Sequence, residues 1–159
     1  MNMKKIFNAS GRFLLFAMAA MLFAAEAKAQ NEETTMQPII EKTQYLVNYL
    51  ENDKNQEIVR MEMDLLSTSK STTRMLQKGF TYTIVAYGDY RFEDIDVKVY
   101  VRNGSNWTLV DKDTDTDSLA AVSVTPSVNA EYKIEISAYK FAKGYSIGHY
   151  GLIICHEMP

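Results

Sequence analysis

The sequence predicts a mainly β protein: an antiparallel, jelly-roll-like β-sandwich of seven to eight strands with one N-terminal helix. Three observations carry that fold class. From residue 59 onward, apolar and polar side chains alternate with a period of two in successive short runs, the pattern of half-buried strands. Turn signals such as Asn103-Gly104 separate the runs at roughly ten-residue spacing, as in sandwiches. Neither strand–helix–strand alternation nor an internal repeat appears, which argues against a parallel α/β sheet.

In chain order, the first element is a leader. Lys4 and Lys5 precede an apolar run over residues 13–25, and Ala27-Lys28-Ala29 gives a small-x-small end. These are the three parts of a secretory signal peptide, and the run is shorter than the ~20 residues that span a bilayer. Residues 1–29 therefore read as a signal peptide cleaved after Ala29, with no cysteine to carry a lipid. The mature chain is expected in the periplasm or outside the cell, without a membrane span.

Residues 30–56 read as a polar segment followed by a helix. Over residues 38–53, Ile39, Tyr45/Leu46 and Tyr49/Leu50 recur every three to four positions. Thr34 or Thr35 offers a cap, Pro38 suits the first turn, and residues 52–55 stop the helix. Such a helix could cover an open end or edge of the sheets.

Residues 57–159 form the predicted sandwich. Val59, Met61, Met63 and Leu65 alternate with Arg60, Glu62 and Asp64, which points the apolar set inward. Phe80, Tyr82, Ile84 and Ala86 form a second strand, and Ile95, Val97, Val99 and Val101 a third. Asn103-Gly104 turns the chain back into Trp107-Thr108-Leu109-Val110 as a hairpin. Val122 and Val124 make a short run that Pro126 ends; Tyr132, Ile134, Ile136 and Ala138 alternate again, and residues 150–155 close as an apolar strand.

Several of these strands resemble a known family. Asp94-Ile95-Asp96-Val97-Lys98-Val99-Tyr100 is similar to the D-x-D-L-x-V-Y strand of the bacterial pre-peptidase C-terminal domain. Ala130-Glu131-Tyr132-Lys133-Ile134-Glu135-Ile136 resembles its G-x-Y-x-I-x-V strand, with Ala130 in place of the usual glycine. Gly144-Tyr145 and Tyr150 to Ile154 resemble its closing strand, and Gln77 to Tyr82 the start of an early one. The resemblance spans about residues 57–156. It implies a jelly-roll-like sandwich of the kind usually appended, without catalytic function, to secreted hydrolases. The N-terminal helix departs from the family pattern, and no protease domain precedes the module.

Charge narrows the function further. The leader carries four of the 17 basic residues and one of the 20 acidic ones, so the remainder has a net charge of −6. Nucleic-acid binding needs a basic stripe, and this balance argues against it. The single cysteine, Cys155, excludes an intrachain disulfide. Cys155 and His156 are adjacent, so in a strand they point to opposite faces and make no thiolate–imidazole pair; His149 lies too far along. No metalloprotease, phosphate-loop, dinucleotide or nucleophile-elbow motif appears.

Three sets of residues remain as candidates. Asp111, Asp113, Asp115 and Asp117 stand at spacing two. Their oxygens could hold calcium, which takes six to eight at about 2.3–2.6 Å. Thr116 and Val122 occupy the glycine and glutamate positions of a calcium-binding EF loop counted from Asp111, so the run is not that loop. The alternative is a solvated acidic turn, with Asp94 and Asp96 as further oxygens. Asp117-Ser118-Leu119 resembles a periplasmic O-glycosylation acceptor, with Ser118 as the modified residue, and Asn106-Trp107-Thr108 matches the N-glycosylation pattern. Finally, Tyr87, Tyr90 and Phe92, with Tyr139, Phe141 and Tyr145, flank strand ends and could form an aromatic ligand face. Tyr82, Tyr100 and Tyr132 read as core or its margin.

The sequence therefore points to an exported, non-catalytic sandwich that binds a protein or the cell surface. A carbohydrate-binding module, with a polysaccharide as partner, is the alternative reading, and a small hydrolase with an acidic site the third. No resident cofactor is implied apart from the calcium reading.

Overall fold

The computed structural model describes residues 35–157, so the expected leader and its cleavage point lie outside the described residues. Helix α1 (Gln37–Asn48) starts at N-cap residue Met36, not at a threonine cap, with Pro38 in its first turn; Thr35 Oγ1, one residue earlier, accepts the Gln37 N–H at 3.2 Å. One π-helical turn, Tyr49–Asp53, continues it, and Asn55 leaves by a left-handed φ of 51°. Eight strands follow: β1 (Gln56–Leu66), β2 (Ser69–Leu76), β3 (Tyr82–Gly88), β4 (Phe92–Asn103), β5 (Asn106–Asp113), β6 (Leu119–Val124), β7 (Ala130–Phe141) and β8 (Gly148–Glu157).

The strands form two four-stranded antiparallel sheets, ordered β1-β8-β3-β6 and β2-β7-β4-β5. The pairing is nested: first with last, second with second last, and so inward to the β4–β5 hairpin. That is the order of a jelly roll. Gly104 supplies the hairpin's positive φ of 61°, and Asn103 pairs with Asn106 across it.

The predicted inward sets of β3, β4 and β7 are all in the core. Ile84, Ala86, Val97, Val99, Ile134 and Ile136 pack there with Leu152, Ile154 and Val122. Each fully buried aliphatic side chain contributes about 1.5–3 kcal/mol of transfer free energy. Strand β8 is buried along both faces, which is why it reads as an unbroken apolar run rather than an alternation. Its outer face lies under α1. Ile39, Leu46 and Leu50 of the helix region are buried with Val85, Tyr87 and Ile153, and Thr43 Oγ1 meets Tyr87 Oη at 2.8 Å. The helix thus covers a sheet face, not an end or edge.

Strand β1 departs from expectation. A bulge at Val59 shifts the register, so Ile58 pairs with Cys155 but Arg60 with Ile154. Val59 still packs on the core, but Met61, Met63 and Leu65 then face outward and are exposed. Arg60, Glu62 and Asp64 turn instead toward β2 at the open side of the sandwich. There Arg60 Nη2 donates to Thr72 Oγ1 at 3.1 Å, Arg74 Nη2 donates to the Val59 carbonyl at 3.2 Å, and Asp64 pairs with Lys70.

Candidate functional site

The six aromatic residues of the expected ligand face divide into two groups. Tyr87 is 0% exposed: it sits on the helix-covered face of β3, with its ring across Gly151. Phe92 is 4% exposed and lies in a slot left by Gly88 and Gly148, where an added Cβ would come within 2.4 Å of its ring. Phe141 packs on it with ring centroids 4.8 Å apart. Tyr87 and Phe92 are interior and Phe141 is half-buried against the core, so the expectation that these three form an exposed face is corrected. Tyr90 and Tyr145 are on the surface, 55% and 45% exposed, and meet edge to face at 5.7 Å. Tyr139 is 74% exposed and lies on the outer face of β7, in the same parity as Lys133 and Glu135.

The Tyr90–Tyr145 pair stands on a buried polar base. Arg91 is buried with its Nε 3.1 Å and 3.0 Å from the two carboxylate oxygens of Asp89. Its Nη2 reaches His149 Nδ1 at 2.5 Å, and because a guanidinium only donates, Nδ1 accepts and the ring proton sits on Nε2. The Asp89 carboxylate also accepts the backbone N–H groups of Arg91 and His149, at 3.0 and 3.1 Å. The two loops are tied together where Ala142 N–H donates to the Arg91 carbonyl at 2.9 Å. Gly144 then turns at φ 94°, and Tyr145 N–H returns to the Ala142 carbonyl at 3.1 Å. No motif in the sequence marks this base. In the sequence His149 stands out only as lying too far along the chain to pair with Cys155, and Asp89 and Arg91 fall in no motif.

The aspartate run does not gather around a point. Asp111 lies on β5, where its Oδ1 accepts Lys112 N–H at 2.9 Å. Asp113 accepts Asp115 N–H at 3.1 Å and Ala121 N–H at 2.9 Å, and Asp117 accepts Leu119 N–H at 2.6 Å. Three of the four thus hold backbone donors, and Asp113 stitches β5 to β6 of the other sheet. Among the described residues, no group of three or more His, Cys, Asp or Glu side chains is placed to hold a metal ion. Asp94 and Asp96, at the head of β4, are buried, which raises the pKa of both.

Ser118 is half-buried rather than displayed on an exposed turn. Its Oγ lies 3.2 Å from Lys42 Nζ, and its carbonyl accepts the Gly88 N–H at 2.9 Å. Lys42 reaches down from α1 to donate to the Gly88 carbonyl at 2.8 Å. Burial pushes Lys42 down to about 8, with Asp117 and Asp89 opposing, and pushes Asp117 up to about 6. At the C-terminal strand, Cys155 is buried, its thiol pushed up to about 12 by desolvation, which leaves it a poor nucleophile. His156 faces the other way, against the rings of Phe80 and Tyr82.

The outer face of β2-β7-β4-β5 holds a cluster that periodicity did not single out. Tyr100, expected in the core or its margin, pairs with Lys133 on this outer face, and Arg102 pairs with Trp107. Lys133 Nζ lies 4.4 Å from the Tyr100 ring centroid and 5.7 Å from that of Trp107; Arg102 Cζ is 5.8 Å from Trp107.

No protein-family model matches the chain, and no curated protein matches it in sequence. Its structure is similar to CorA, a surface-associated copper-binding protein important in copper acquisition by Methylomicrobium album BG8. The TM-score is 0.50 at 9% identity, over 62% of this chain and 93% of that one. It is also similar to the pre-peptidase C-terminal domain of collagenase from Bacillus anthracis, with TM-score 0.46 at 11% identity over 60% and 87% of the two chains. A third similar structure is Aeromonas hydrophila PliG, a periplasmic inhibitor of g-type lysozyme, with TM-score 0.42 at 11% identity over 65% and 87%. At such identities the likeness is one of fold, and a fold of this kind does not name an activity.

Proposed function

We propose that the chain is an exported, non-catalytic β-sandwich that binds a protein partner in the periplasm or at the cell surface through its Tyr90–Tyr145 tip. The reading rests on one observation: two exposed tyrosine rings in edge-to-face contact, on loops fixed from beneath by Asp89, Arg91 and His149. Tyrosine brings contact area and a hydroxyl at small entropic cost, and a rigid base lowers the ordering cost of binding. Export is supported by the leader over residues 1–29. With Tyr87 and Phe92 buried and Phe141 half-buried against the core, only a small platform remains. That suits a protein anchor better than a row of stacked sugars.

The test is retention of envelope proteins from the host cell by the tagged protein after cross-linking. Wild-type protein should hold a defined partner, and Tyr90→Ala/Tyr145→Ala should reduce its recovery about tenfold or more with unchanged thermal unfolding. Equal recovery by the double variant would remove the tip from the function.

A further inference from the structure

Independently of the tyrosine tip, we propose that the outer face of the β2-β7-β4-β5 sheet binds an acidic polysaccharide. One carboxylated sugar ring lies on Trp107 while Arg102 and Lys133 take its carboxylate. The opposite sheet has its outer face covered by α1; among the described residues, no helix covers this one. The register gathers two cations and two rings at one corner, with Arg102 opposite Trp107 and Tyr100 opposite Lys133.

The anions already present there are replaceable. Glu131 pairs with Arg102 at 2.6 Å and Glu135 with Lys133 at 3.8 Å, and all four side chains reach solvent. Ion pairs of this kind add little to stability, so a ligand carboxylate can substitute for either glutamate without stranding a buried charge. In the next row Lys98 stands opposite Lys112, with Glu135 on its other side and Asp96 near both lysines. The face carries Lys98, Arg102, Lys112 and Lys133 against Asp96, Glu131 and Glu135, one cation in excess on a chain that is acidic elsewhere, and its cations gather at the Trp107 corner.

The rings select among anions. A pyranose ring offers a flat C–H face to an indole, with hydroxyls around its rim for charged donors and acceptors. A carboxylate peptide lacks that face.

Trp107 is the only tryptophan, so its fluorescence reports this corner alone. Titration of the purified protein with polygalacturonate should change that emission saturably, with binding that weakens as salt rises. Arg102→Gln and Lys133→Gln should each weaken binding about tenfold, whereas Lys133→Arg and Tyr90→Ala/Tyr145→Ala should bind as wild type. The last of these separates this site from the tip. Circular dichroism of each variant checks its fold, and Lys133→Arg serves if the glutamine variant unfolds. An absent response in the wild-type protein would overturn the inference. So would equal binding of neutral dextran, which would remove the role of the cations, or equal competition by polyglutamate, which would remove the role of the sugar ring.

Discussion

Tyr87 and Gly151 face each other across β3 and β8, and a Cβ on Gly151 would lie 2.2 Å from the Tyr87 ring. Gly151→Ala should therefore cost about 1–3 kcal/mol or more in urea unfolding, because a packed ring held under a helix has nowhere to move. In a Tyr87→Leu background the same change should cost much less, and equal costs would show that the ring is not the obstacle. Buried Lys42 and half-buried Asp117 contribute to a pH dependence. Asp117 is raised from 3.8 to about 6, so the folded chain binds its proton more tightly. This group's contribution to stability is greatest in acid and falls as pH rises through that window. Lys42 is lowered from 10.5 to about 8, so the unfolded chain holds its proton more tightly, and stability rises with pH across that upper window. Urea unfolding at several pH values should show the acid-side slope shrink in Asp117→Asn, Asp94 and Asp96 supplying the rest, and the alkaline one shrink in Lys42→Met. Slopes unchanged by either variant would place the protons elsewhere.

Strands announced themselves where one face meets the core and the other meets polar surroundings. Ile95, Val97 and Val99 on β4, and Ile134 and Ile136 on β7, were readable for that reason. Strand β2 was not, because its run from Ser69 to Arg74 lies at a sheet edge and only Leu76 is buried. In β1 the alternation was real but its sense was inverted, since one bulged residue moves all later side chains to the other face. A carboxylate at an outward position is therefore tolerable. Met61→Asp should change stability by less than about 1 kcal/mol, while Ile134→Asp should abolish the cooperative unfolding transition. Similar damage from both would refute the bulge. The surface tyrosines of the tip were legible as loop aromatics. Their support was not, because Asp89, Arg91 and His149 come together only through the return of β8 beside β3.

The nested order of the sheets makes most stabilising contact long-range, and sandwiches of this kind fold in milliseconds to seconds. Strand β8 fills the gap between β1 and β3, yet it follows both in the chain. A growing polypeptide that has emerged only to Ile147 therefore holds one sheet with its middle missing: β1 has no partner in it and β3 keeps only β6. Synthesis then acts as a timer. Until the ten residues of β8 arrive that sheet stays open, and their arrival joins β1 to β3 and completes it. Brief protease treatment of ribosome-stalled chains should digest one ending at Ile147 and spare one in which Glu157 has cleared the exit tunnel. A protected fragment from the shorter chain would show that the latch closes earlier.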